Sequence, residues 1–169
     1  MRVLFLWLLL APAVVAGGAE ARLKELGITL SKPNPPVANY VRAVRAGNLV
    51  FLSGHGPARA EGGFVSGKVG GELTLEQGQE AARLTAISLL SSLRAEIGDL
   101  DKVVRVVRVF GMVNCGPDFK DHSLVINGCS DLLVAVFGEQ GRHARAAVGM
   151  TSLPMGLAVE IEMVVEVAP

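Results

Sequence analysis

The sequence predicts an α+β fold: a single domain in which one mixed β-sheet carries two helices packed on one face. Three observations predict it. Strand-like apolar runs recur near 40–53, 101–114, 144–150 and 158–167. Two stretches of helical recurrence, opening at Thr74 and Phe119, fall between those runs. And 169 residues suffice for one domain with a real core but are short for two.

Residues 1–18 stand apart from that domain. Met1-Arg2 precedes the apolar run 3–16 and the small residues Gly17, Gly18 and Ala19. One positive charge, an apolar stretch shorter than the ~20 residues of a membrane span and small residues near Ala16 have the make-up of a secretory signal. Export is one reading; a start codon set too far upstream, or a tail helix kept in a cytosolic protein, is the other. No stable membrane span is expected in either case. Residues 19–38 read as a short helix over 21–26, stopped by Gly27, and a lead-in at 31–36 whose prolines lack amide donors and fix φ. The domain proper is 39–169.

Within it, 40–45 and 49–53 read as two strands around Gly47-Asn48, a β-hairpin. The glycine-rich stretch 54–71 reads as a loop or ragged second hairpin, with a brief strand near Phe64-Val65. Thr74 and Gln77 match a capping box, and Leu75, Ala82, Ile87, Leu90 and Leu93 give the helix that follows one sheet-covering face, up to Gly98. The β-branched run 101–114 reads as a central strand, on which Arg105 and Arg108 have opposite parity and so cannot share a face. Leu124, Gly128, Leu132 and Val136 recur every four residues, the spacing of a second helix over 119–137 that packs closely at its glycine. Strands at 144–150 and 158–167 complete the set.

Composition narrows the function. Sixteen Lys and Arg balance sixteen Asp and Glu, so no net positive field gathers nucleic acid or an anionic membrane. Cys115 and Cys129 lack the spacing of a zinc or redox motif, and His55, His122 and His143 are scattered, so no metal is expected and two buried thiols are the simpler reading. Half of the residues are hydrophobic and the mean hydropathy is +0.44, an excess that suits contact with another subunit.

No nucleophile elbow, phosphate loop or dinucleotide fingerprint is present. Single placements carry the chemistry instead. Arg145 lies in the small, apolar strand 144–150, where a guanidinium is costly to bury unless it meets an anion; its planar fork grips a carboxylate, while an internal Glu partner or a place at a sheet edge is the blander account. In 158–167 acidic and apolar residues alternate, which puts Glu160, Glu162 and Glu166 on one face: a wet strand side, or a carboxylate able to orient water.

The run from Arg145 through Leu153-Pro154 to Glu160-Ile-Glu162 resembles the C-terminal signature of the Rid (YjgF-like, endoribonuclease L-PSP) family: an arginine strand, Leu-Pro, a turn and an alternating Glu strand. Tyr40-Val, Gly47-Asn-Leu-Val-Phe-Leu-Ser-Gly54, Asp118-Phe119 and Asn127 fall in matching order, so the resemblance spans about 39–167. It implies a chorismate-mutase-like homotrimer with pockets between subunits. It implies hydrolysis of enamines and imines such as 2-aminoacrylate to 2-keto acids and ammonia, without a cofactor, in a cytoplasmic protein. By the same resemblance Arg145 holds the substrate carboxylate, Glu160 places the attacking water and Tyr40 lies near the imine nitrogen. Ser53 and Gly54 form a turn at the pocket floor, and Asn127 stands at the rim. Ala147 occupies the position where many members carry a cysteine, His55 replaces the usual glutamine, and 115–127 is longer, which marks a divergent subgroup. A binding-only trimer that takes a small carboxylate or keto acid is the alternative, and ribonuclease activity is a weaker one.

Overall fold

The computed structural model describes residues 17–33, 35 and 38–169; the signal-like run 1–16 and part of the Pro-rich lead-in lie outside the described residues. A short helix, α1 (Ala19–Glu25), leads into the hairpin β1 (Ala43–Ala46) and β2 (Leu49–His55), then α2 (Leu75–Ile97), β3 (Val103–Asn114), α3 (His122–Phe137), β4 (Ala144–Met150) and β5 (Val159–Val167). The sheet order is β1-β2-β5-β3-β4, with β3 and β4 parallel and every other neighbouring pair antiparallel. This is the mixed sheet and α+β domain expected, with the two long helices against one face and α1 packed beside α3.

Alternation sets which face is covered. In β5 every odd residue from Val159 to Val167 is buried and every even one is at least partly open, so the helices cover the Val/Ile/Met side and the glutamates line the other. Leu89, Leu90 and Leu93 of α2 and Val125, Ile126, Cys129 and Leu133 of α3 fill the space above Val50, Val106, Val109, Ile161 and Met163. Two glycines set the spacing. A Cβ on Gly111 would enter the Ile126 side chain, and a Cβ on Gly128 would strike the backbone carbonyl of Gln79, so α3 sits close to both β3 and α2. The capping box is formed: Gln77 N donates to Thr74 Oγ1 at 3.2 Å, and Thr74 N donates to Gln77 Oε1 at 2.9 Å.

Several details differ from expectation. Arg105 and Arg108 do share a face. They pair with Glu166 and Val164, two residues of like parity on β5, because β3 carries an extra residue at Val107 between them; a second extra residue lies before both, at Val104. Each bulge resets the alternation and turns the burial of β3 to every third residue over Val103, Val106 and Val109. The first strand begins at Ala43, leaving Tyr40 and Arg42 before it; the stretch after β2 is the expected loop, with the antiparallel bridge Ala58 to Phe64 as its brief strand pairing. α3 begins at His122, since Phe119 is taken up by a turn in which its ring fills the space above Gly70. Leu124, placed on the buried stripe by its spacing, is 43% exposed at the helix's first turn.

Candidate functional site

Arg145 lies on β4, the edge strand, and its side chain is exposed, so the edge placement holds and burial against an internal carboxylate does not. It is beside Val109 in the β3–β4 register and so points to the helix side. There Nη1 donates to Asn127 Oδ1 at 2.9 Å and to Ser130 Oγ at 3.0 Å. Asn127 and Ser130 are three apart on α3, which brings both to one face of the helix. The chain of bonds continues inward. His143 Nδ1–H donates to the Gly141 carbonyl at 2.6 Å, which leaves Nε2 of the neutral ring to accept from Ser130 Oγ–H at 3.0 Å. Burial, and after it the nearby Arg145 charge, hold the His143 imidazole below its ordinary value; the Gly141 bond opposes them. A neutral histidine thus fixes a serine that fixes the guanidinium, and among the described residues Arg145 makes no ion pair. Ser130 and His143 had no place in the sequence reading; the i, i+3 spacing to Asn127 was the available signal.

Ala147 follows Arg145 on the same side of β4, partly buried against the core, with no polar atom to offer a ligand. One step further, a Cβ on Gly149 would meet Cys115 Sγ and His122 Nε2, which lie 3.4 Å from each other. Burial pushes the Cys115 thiol up, so it is not a ready thiolate, and Cys129 is pushed up to about 12 beneath Arg145. Both cysteines are free and buried.

Glu160 occupies the other face of the sheet. It pairs with Met112, and its carboxylate occupies the space where Gly54 would carry a Cβ. Ser53 and Gly54 form a bulge instead of a turn: the two oppose the single residue Glu162, between the Leu52–Met163 and His55–Ile161 pairs. Ser53 Oγ donates to the Arg42 carbonyl at 3.3 Å. Burial, and then the like charge of Glu162, raise the Glu160 carboxyl above the ordinary carboxylate range. The bulge turns His55 into the core, where Nδ1–H donates to Ser53 O at 2.6 Å and Nε2 accepts from Ser92 Oγ–H at 2.7 Å. Tyr40 lies in the loop before β1, 46% exposed.

Beside Glu160 the open face holds a shallow groove of about 340 Å³, lined by Val44, Phe51, Ser53, Arg108, Phe110 and Glu162 among others. Arg108 Cζ lies 5.3 Å from the centre of the Phe110 ring, a cation–π contact. Among the described residues, no group of three or more His, Cys, Asp or Glu could hold a metal, and no helix is long and apolar enough to cross a membrane.

A helix-backed mixed sheet, with an edge-strand arginine held by Asn127 and Ser130 on one face and Ser53, Gly54 and Glu160 gathered on the other, defines a single-domain α+β protein. The family model described as "YjgF/chorismate mutase-like, putative endoribonuclease" matches residues 20–166, and the chain belongs to this YjgF-like (Rid) family. It is 46% identical to Protein TCP17 of Trypanosoma cruzi over 154 residues, 90% of this chain and 96% of that protein. Among solved structures it resembles Atu1372 of Agrobacterium tumefaciens, with a TM-score of 0.82 and 45% identity over 89% of this chain and 94% of that one. It also resembles a Shewanella oneidensis protein described as a "putative endoribonuclease", with a TM-score of 0.86 and 26% identity over 89% of this chain and 100% of that one.

Proposed function

We propose that the protein hydrolyses small carboxylate-bearing enamines and imines, 2-aminoacrylate among them, to 2-keto acids and ammonia, in pockets between the subunits of a homotrimer. The observation that carries this reading is the state of Arg145: solvent-facing, held by two neutral oxygens through one terminal nitrogen, and free of any ion pair among the described residues. Nη2 and Nε are left to take a carboxylate in a fork. With the carboxylate fixed, the imine carbon is fixed too. The enamine tautomerises to the imine, water adds across C=N, and collapse of the carbinolamine expels ammonia and leaves the ketone. Glu160, with its raised affinity for a proton, takes a proton from the water and returns it to the leaving nitrogen. Tyr40 stands near the nitrogen, Ser53 and Gly54 form the floor and Asn127 orients the arginine. The reaction needs no cofactor, because a protonated imine is already electrophilic.

The exposed apolar residues of the hairpin and open face, Val41, Val44 and Phe51, support the trimer, since such a patch is stabilised by cover. A binding-only trimer remains a second reading, favoured by Ala147, which has no thiol, and by His55, which is turned away from the open face. An RNA-cleaving reading has less support: the formal charge is balanced, and His55 and His143 are each occupied by a serine and a backbone carbonyl. The deciding experiment generates 2-aminoacrylate with a serine dehydratase and follows pyruvate release with the full chain and with Arg145→Ala. Acceleration lost in the variant supports hydrolysis. No acceleration by an intact trimer that still binds pyruvate selects the binding role.

A further inference from the structure

Behind β2, on the helix side of the sheet, a cleft of about 410 Å³ opens between α2, the loop after β2 and the segment that follows α1. Arg145, Glu160 and Tyr40 are not part of it. Four cationic residues line it, Lys32, Arg42, Arg59 and Arg83, and no Asp or Glu does. At its floor lie His55 and Ser92, bonded to each other, so the floor is neutral and its polar atoms are satisfied. The charge of Arg42 reaches that floor, where it disfavours protonation of His55. The walls between the charges are apolar, with Ile87 on one side and Phe64 on the other.

We infer that this cleft is a binding site for a small polyanion, a phosphate ester or a polycarboxylate with an apolar part. Four positive residues around one concavity repel one another, and a concave low-dielectric wall concentrates their field. The counter-charges of Arg83 and Arg59 are at the rim. Arg83 meets Glu80 at 3.3 Å and Arg59 meets Glu61 at 4.0 Å, all four side chains substantially exposed. Exposed pairs of this kind contribute only ~0–1 kcal/mol, so both guanidiniums turn to a multivalent anion at small cost. Lys32 makes no ion pair among the described residues. A single carboxylate would reach one or two of Lys32, Arg59 and Arg83, whereas two or three linked anionic groups reach all three. The volume is that of a small-molecule pocket, and the apolar walls accept the ligand's uncharged portion.

The test is isothermal titration of the full chain with inorganic pyrophosphate and, separately, with citrate, at ionic strength held constant with NaCl. The expected result is saturable binding of at least one of them. Affinity should fall by at least about tenfold in an Arg59→Ala/Arg83→Ala double variant, the loss expected when two charge-assisted contacts go. Lys120→Ala, at an exposed position outside the cleft, leaves it unchanged. Arg59 is exposed and Arg83 half-exposed, so the double variant should keep its circular dichroism spectrum; an Arg59→Gln/Arg83→Gln pair repeats the test with the side-chain bulk retained. Binding of pyrophosphate alone identifies a phosphate site, and binding of citrate alone a polycarboxylate site. No saturable binding of either, or binding undiminished in both double variants, overturns the inference, whatever the outcome of the deamination assay.

Discussion

Arg145 and Glu160 stand on opposite faces of one sheet. Arg145 lies beside Val109, and Val109 beside Met163, a row that faces the helices; Glu160 lies beside Met112, and Met112 beside Val148, a row that faces away from them. The sheet between them is continuous, because the two bulges of β3 fall before Val109. One chain therefore cannot bring this guanidinium and this carboxylate to the same small substrate. If both act on it, Arg145 of one subunit meets Glu160 of another.

That arrangement predicts complementation. Arg145→Ala and Glu160→Gln chains should each be inactive alone, but in the proposed homotrimer, co-refolded in equal amounts, they should regain about a quarter of the wild-type rate, the fraction of interfaces that join one intact half to the other under random assembly. Pyruvate release from the mixed sample checks it. A mixture no better than its components shows that the two groups do not act on one substrate.

Gly54 and Gly128 are both crowded, with different consequences. At Gly54 an added Cβ meets only the movable end of Glu160, so Gly54→Ala should keep its fold and lower kcat through a displaced carboxylate. At Gly128 the obstacle is the Gln79 backbone, and Gly128→Ala should destabilise by ~1–3 kcal/mol, the usual cost of overpacking. Urea denaturation read beside deamination rates separates the two.

Stability should fall in mild acid. His55 and His143 are both held below the ordinary 6.5, chiefly by burial, so between their folded values and 6.5 the unfolded chain binds more protons. Their contribution is complete above 6.5 and is lost as pH drops through the folded values. Glu160 works in the opposite direction: its raised carboxyl relieves a penalty as pH falls toward 4.5. Urea midpoints measured from pH 8 to 5 should decline below 6.5, less in His55→Gln and more steeply in Glu160→Gln.

Phe51 is 45% exposed on the open face, so replacing it costs the isolated subunit little. Phe51→Asp should leave the circular dichroism spectrum intact and shift the sedimentation coefficient from trimer to monomer, with loss of deamination if the pockets lie between subunits. A variant that stays trimeric would locate the subunit contact elsewhere.

The site was legible in part. Arg145 and Glu160 each break a local pattern, an arginine among small apolar residues and glutamates alternating with aliphatic ones, and the family signature ties them together. The Ser130–His143 support was not legible, because it depends on α3 lying over β4 and on a histidine tautomer fixed by the Gly141 carbonyl. The cationic cleft has no signature in the sequence for a related reason. Lys32, Arg42, Arg59 and Arg83 are widely spaced along a chain whose net charge is zero, and only folding gathers them.

By itself the sequence determined the element order, the capped α2, the close approach at Gly128 and the wet side of β5. These are local properties, set by side-chain periodicity, capping hydrogen bonds and the absence of a Cβ. The tertiary structure decided which residues share a face across strands. Arg105 and Arg108 differ in parity, yet the residue inserted at Val107 aligns them; Ser53 and Gly54 match a turn by resemblance, yet pairing opposite Glu162 makes them a bulge. Register is a property of two strands together, fixed by the pairing that best buries both, and a single strand's pattern does not contain it.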